Sequence, residues 1–259
     1  MGTDLRALAR DTMEILHAGR YGKVDLTAPV DAAVAGTRLV TPGEPLPRPA
    51  ATGPAPIITV TDESTLAATR RLARDGEVAA LVFASAKHPG GGFRNGARAQ
   101  EESLARASAL FPCLNAVPQF YAYHRARTGN LYSDHVIHAP SVPVFRDDSG
   151  ALLPMWYPVS FLTAAAPNRG AVPAARAAQV ATLLAARARR VLAVAAAHGH
   201  RRLVLGAWGC GVFRNDPATV ADAFATALAA TPGWFDEVVF AILGAAERPP
   251  FEARLLRYV

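Results

Sequence analysis

Cysteine is scarce in this chain, with only Cys113 and Cys210 in 259 residues. Two cysteines make no disulfide framework, and the count suits a reducing cytoplasm better than secretion. Long apolar runs are missing too. The longest candidate, Ala174 to His198, is broken by Arg176, Arg187, Arg189 and Arg190, so no membrane-spanning helix is expected. The opening "MGTDLRALARDTMEIL" is charged and amphipathic, unlike a signal peptide. The chain carries 19% charged and 51% hydrophobic residues, which excludes a disordered protein. Its net charge of +6 favours anionic partners. However, the arginines are scattered, with no basic run interleaved with aromatics, so direct nucleic-acid binding is not expected. A phosphate-bearing substrate is compatible. There is no Walker A motif and no Gly-x-Gly-x-x-Gly fingerprint, which disfavours a P-loop enzyme or a nicotinamide-dependent dehydrogenase. Metal-ligand spacing is also lacking. His135 and His138 are three apart on a predicted strand and would face opposite sides. His198 and His200 fall at a helix end, where a cationic cap explains them. No metal and no cofactor are expected.

What is present alternates between strand and helix. Residues 3–18 read as an amphipathic helix stopped near Gly19, and 24–41 as short extended pieces. From Pro42 to Pro56, six of fifteen residues are proline, which marks an exposed loop. Residues 1–56 therefore read as an N-terminal appendage with a proline-rich loop, and 57–259 as the main domain. There, strands are predicted at 56–61, 78–86, 135–140, 158–167, 201–209 and 237–243. Helices are predicted at 64–76, 98–111, 173–200 and 216–230. Apolar strands alternating with helices predict a three-layer α/β/α domain around a mixed, largely parallel sheet. In such sheets ligands bind where strand ends lead into helices.

Two glycine-rich loops sit at such ends. The first, "KHPGGGFRNGARAQEE", places Gly90, Gly91 and Gly92 after a buried strand. Three consecutive glycines are costly to order, and their amides can form an anion-binding nest. Glu101 and Glu102 follow in the first turns of a helix, where acidic residues also simply complement the helix dipole. Neighbours on a helix point about 100° apart. One carboxylate should therefore lie against the end of the sheet, desolvated and able to donate a proton. The spacing does not say which of the two. The second loop, "GAWGCGVFRND", can cradle a diphosphate at a capped helix. Phe213 could pack on a sugar there, or serve the core. Cys210 has no base beside it in sequence and reads as a small turn residue rather than a nucleophile.

Together these loops resemble the poly(ADP-ribose) glycohydrolases, in particular the compact bacterial type. "GGGFRNGARAQEE" matches their GGG–spacer–QEE signature. "FASAKHPGGGF", "AQEESLARAS", "TAAAPNRGAV", "LVLGAWGCGVFRNDP" and "VVFAIL" look like that group in the same order, and "LARDTMEILHAGRYG" resembles its helical appendage. The resemblance implies a macrodomain fold that binds ADP-ribose. It also implies hydrolysis of the ribose–ribose O-glycosidic bond of poly(ADP-ribose) from chain ends. Glu102 would be the acid/base, and Glu101 would hold ribose hydroxyls. Gly90, Gly91 and Gly92 would contact the distal ribose and phosphates, with Phe93, Asn95 and Gln100 as further substrate-binding positions. Gly209, Cys210, Gly211, Val212 and Phe213 would wrap the diphosphate. The implied partners are poly(ADP-ribose), ADP-ribose and ADP-ribosylated proteins, met by a cytoplasmic monomer. The family pattern has asparagine near Val82 and His88, and this chain does not. No motif places the adenine side, for which Asp62 and Glu63 are candidates. The alternative is a macrodomain that reads ADP-ribose without cleaving it, but such a module would need the loops and not the carboxylates.

Overall fold

The computed structural model describes residues 4–47 and 53–255, so residues 48–52 of the proline-rich loop lie outside the described residues. Helix α1 (Leu5–Ala18) begins where the Asp4 carboxylate accepts the Arg6 and Ala7 amides, and stops at Gly19 in the left-handed region. A short hairpin, β1 (Arg20–Tyr21) and β2 (Val24–Asp25), leads to helix α2 (Thr27–Gly36) and strand β3 (Arg38–Val40). The extended reading of 24–41 is thus corrected over ten residues. "TAPVDAAVAG" is rich in alanine, the strongest helix former, and has its proline in the first turn, where proline is tolerated.

Next come strand β4 (Ile57–Thr61), helix α3 (Thr65–Leu72) and strand β5 (Ala79–Phe83). The single helix predicted over 98–111 is two, α4 (Gln100–Ala107) and α5 (Leu110–Asn115). Ser108 interrupts it with extended backbone, its hydroxyl donating to the Leu104 carbonyl and accepting from the Leu110 amide. Helix α6 (Pro118–Arg125) was not predicted. Strands β6 (Val136–Arg146) and β7 (Leu152–Ala164) are longer than expected and form an antiparallel ribbon. Helix α7 (Gln179–Ala197), strand β8 (Arg202–Leu205), helix α8 (Pro217–Ala229) and strand β9 (Glu237–Ala241) follow, then the unpredicted helix α9 (Arg248–Leu255).

The main sheet has the order β3-β6-β7-β5-β8-β9-β4. Strands β7, β5, β8, β9 and β4 run parallel, while β6 is antiparallel to both of its neighbours. Helices cover both faces, so β5 is a continuous apolar run whose alternate residues enter opposite cores. Ala79 and Leu81 pack in the layer of α7, α8 and α9, with Val191, Phe224 and Phe251. Ala80 and Val82 pack in the layer of α3 to α6, with Leu72, Leu104 and Phe120. Val82 therefore contributes packing, away from solvent. The stretch read as an appendage supplies β3 to the sheet edge. It also lays α1 across α4, with Ala9 against Phe93 and Ala105. The buried Thr12 hydroxyl donates to the Arg106 carbonyl at 2.6 Å and accepts from Arg146, which is also ion-paired with Asp11.

The histidines at the end of α7 are not cationic caps. His138 of β6 stacks on His198 with ring centroids 3.8 Å apart, and its Nε2 hydrogen-bonds His200 Nε2 at 2.9 Å. Burial holds His138 at a pKa of about 3 and His200 at about 4, so both are neutral. Unfolded, they would bind protons from about pH 6.5 downward. Below that value the unfolded chain takes up more protons than the folded one, so stability is lost as pH falls from about 6.5 towards 4. The melting temperature measured by calorimetry should therefore drop between pH 7 and pH 5. The drop should be smaller in a His138→Gln variant.

Candidate active site

The cleft begins where two parallel strands separate. β5 pairs with β7 along its whole length, but with β8 only at Ala79 and Ala80. Beyond that point the backbone of β5 on the β8 side needs other partners. Gln100 supplies them. Its Oε1 accepts the Phe83 amide at 2.9 Å, and its Nε2 donates to the Leu81 carbonyl at 2.8 Å and to Thr65 Oγ1 at 3.1 Å. The first residue of α4 thus stands in for a neighbouring strand. β5 connects to α4 on one face and β8 is reached through α7 on the other, the arrangement that opens a crevice at a topological switch point.

After β5 the chain turns through Ser85–Pro89 into the glycines. Gly91 lies in the left-handed region at φ 57, and an added Cβ there would stand 2.2 Å from Glu102 Oε1 and 3.3 Å from Glu101 Oε2. Only glycine lets the loop close over both carboxyl groups. The Gly92 amide then donates to Glu102 Oε1 at 2.9 Å, and the Ser85 amide donates to Glu101 Oε2 at 2.6 Å. Glu101 is 2% exposed, and its Oε1 is buried without a partner. Desolvation pushes its pKa well above the usual carboxylate range, against the pull of the Ser85 amide, and the nearby Glu102 pushes the same way. Glu102 is also largely buried, but its second oxygen makes no hydrogen bond among the described residues.

The second loop follows β8. Trp208 is buried and donates to the Ala164 carbonyl at 3.1 Å. Gly209 is left-handed at φ 73, where a Cβ would meet Asn215 at 2.5 Å and Ala166 at 2.7 Å. Asn215 closes the loop, with its side chain donating to the Pro167 carbonyl and its amide to Gly209. Val212 is 77% exposed, and the half-buried Phe213 lies 5.8 Å from the Tyr132 ring. Burial raises the Cys210 thiol to about 12, so it is not a thiolate nucleophile.

Between the loops lies a cavity of about 920 Å³. Gly91, Gly92, Asn95, Gln100, Glu101 and Glu102 line it from one side, and Gly209, Cys210, Gly211, Val212 and Phe213 from the other. Two expectations need correction. Phe93 is 1% exposed and belongs to the small apolar cluster with Ala9 and Ala105, away from the cavity. Gly90 is also buried, and a Cβ there would meet the Phe93 and Phe111 rings. Gln100 lines the cavity, but its amide is fully engaged with the protein, so it positions the site rather than offering hydrogen bonds to a ligand. His88, singled out in the sequence as flanking the loop, lines the cleft, as do Ser85, Arg98, Ala166, Trp208, Leu243 and Glu247, which the sequence does not point to. Most are apolar, or lie far along the chain from either loop. Among the described residues no group of three or more His, Cys, Asp and Glu is placed to hold a metal ion.

The model of the family "Microbial-type PARG, catalytic domain" matches residues 9–147. Poly(ADP-ribose) glycohydrolase (PARG) from Thermomonospora curvata is 50% identical, with a TM-score of 0.90 over 98% of this chain and 99% of that one. The same enzyme bound to the inhibitor ADP-HPD superposes with a TM-score of 0.88 at 49% identity, with the same coverage of both chains. PARG from Deinococcus radiodurans in complex with ADP-ribose is 43% identical, with a TM-score of 0.83 over 89% of this chain and 98% of that one. No curated protein matches at the same stringency.

Replacing Gln100 by leucine removes every partner its amide supplies to β5 and leaves the Phe83 amide and the Leu81 carbonyl unpaired. Urea unfolding should show a loss of about 3 kcal/mol, whereas an unchanged midpoint would mean that the strand separation does not depend on this side chain.

Proposed function

The chain belongs to the microbial-type poly(ADP-ribose) glycohydrolase family, and from that premise we propose how its cleft hydrolyses the ribose–ribose bond of poly(ADP-ribose). Glu102 is the general acid and then the general base. The observation that carries this assignment is the unequal placement of the two carboxyl groups. Glu101 is enclosed beneath the loop, while Glu102 keeps one oxygen free on the cleft side, with the other fixed by the Gly92 amide.

The free oxygen of Glu102 gives its proton to the departing ribose oxygen as the C–O bond breaks and the anomeric carbon gains oxocarbenium character. The resulting carboxylate takes a proton from a water whose oxygen bonds to that carbon. ADP-ribose is released, and Glu102 ends protonated as it began. Burial favours the neutral form of Glu101, so no second negative charge opposes the developing Glu102 carboxylate. Glu101 braces the loop through the Ser85 amide at the wall of the cleft, beside the position of the ribose hydroxyls. The amides of Gly209–Phe213 cradle the diphosphate, and Phe213 packs on the sugar. Release from chain ends is supported by a cavity within the size range of clefts that hold one nucleotide-sized ligand. Both cysteines are free, which suits a reducing compartment such as the cytoplasm.

The direct test is Glu102→Gln. It should lower ADP-ribose release from polymer by about 10³-fold, while calorimetry shows ADP-ribose still binding. Undiminished release would refute the assignment.

A further inference from the structure

Arg98 lies in the spacer between the glycines and the glutamates. Its side chain is exposed and makes no hydrogen bond or ion pair among the described residues. It lines the catalytic cleft, and it also lines a neighbouring cavity of about 160 Å³ on the far side of the spacer. Arg106 faces that second cavity, together with Ser103. Arg106 is 4% exposed, donates to the Ala97 carbonyl at 2.6 Å, and forms no salt bridge among the described residues. Burial disfavours the charge on Arg106 most, the nearby Glu102 favours it, and Arg98 disfavours it. Two carboxylates, Asp147 and Asp148, line the same rim. Asp147 accepts the Ser149 and Ala151 amides, and Asp148 accepts the Ser64 hydroxyl. Arg98 is thus a solvent-facing cation at the cleft rim with no ion pair among the described residues, placed to take an anion.

The chemistry of the substrate says which anion. This step rests on the hydrolase reading above. Glu102 must touch the oxygen that departs, and Arg98 precedes Glu102 by four residues on the same cleft wall. That oxygen belongs to the adenosine ribose of the unit left behind on the polymer. The 5′ carbon of the same ribose carries a diphosphate, so the next negative charges lie about one sugar away from Glu102. We propose that Arg98 binds the diphosphate of this penultimate ADP-ribose unit, forming a leaving-unit subsite at the rim of the cleft that holds the terminal unit. Such a subsite contributes to the capture of polymer and not to the binding of free ADP-ribose.

The test compares Arg98→Glu and Arg98→Lys with the unaltered protein, using poly(ADP-ribose) turnover at low and high salt and ADP-ribose binding by calorimetry. Arg98 is exposed, so neither variant threatens the fold. Arg98→Glu should lower kcat/KM on polymer about ten-fold, as expected for one lost charge-assisted contact, and flatten its salt dependence. ADP-ribose affinity should stay within about two-fold, and Arg98→Lys should fall between. Unchanged polymer turnover, or ADP-ribose affinity falling in step with it, would overturn the subsite. No release at all by the unaltered protein would overturn the hydrolase reading, and the subsite with it.

Discussion

A single backbone amide decides what this cleft can do. The Gly92 N–H holds one oxygen of Glu102, and it can approach only because Gly91 has no side chain where the two carboxyl groups lie. The same loop brings the Ser85 amide onto Glu101. Two adjacent glutamates thereby receive different environments. One is enclosed and favours its neutral form, and the other lines the cleft with one oxygen left without a hydrogen bond among the described residues. The difference comes from a helix turn that points neighbouring side chains apart, and from a loop that covers one of them more completely.

The loop is held from three directions. Gln100 ties the start of α4 to the unpaired edge of β5. Arg106 reaches back from the end of the same helix to the Ala97 carbonyl in the spacer. Helix α1 presses on the spacer from outside, where Arg6 donates to the Asn95 carbonyl at 3.1 Å and Thr12 donates to the Arg106 carbonyl. Phe93 serves this same end. Its ring anchors the loop in the contact between α1 and α4 and leaves the glycines to face the cleft. These contacts hold the carboxyl groups without contacting the substrate, which is how a reactive geometry is kept within tight limits.

Much of this was legible in the sequence. Apolar strands between amphipathic helices pointed to the layered sheet, and the two glycine loops pointed to its carboxyl edge. What remained hidden has physical causes. Residues 27–36 carry a weak hydropathy pattern, which does not signal helix α2. Ser108 splits a helix through hydrogen bonds that no periodicity signals. His138, His198 and His200 meet only because β6 and the end of α7 are brought together across one face of the sheet. Phe93 and Gln100 sit inside the motif, and position alone suggested contact with substrate. Only the packing partners of Phe93, and the strand edge that Gln100 completes, assign them to the scaffold. Arg98 reads as spacer in the sequence, and only the cavities on either side of it give it a role.

The closure of the glycine loop over Glu102 is tested most directly by Gly91→Ala. A methyl group at that position would fall within 2.2 Å of Glu102 Oε1 on a left-handed backbone, so it must displace either the loop or the carboxyl group. The measurement is the rate of ADP-ribose release from polymer by a variant shown to be folded by its circular dichroism spectrum. The expected loss is about 10²-fold or more, approaching that of removing the Glu102 acid itself. A folded variant with turnover near that of the unaltered protein would contradict it.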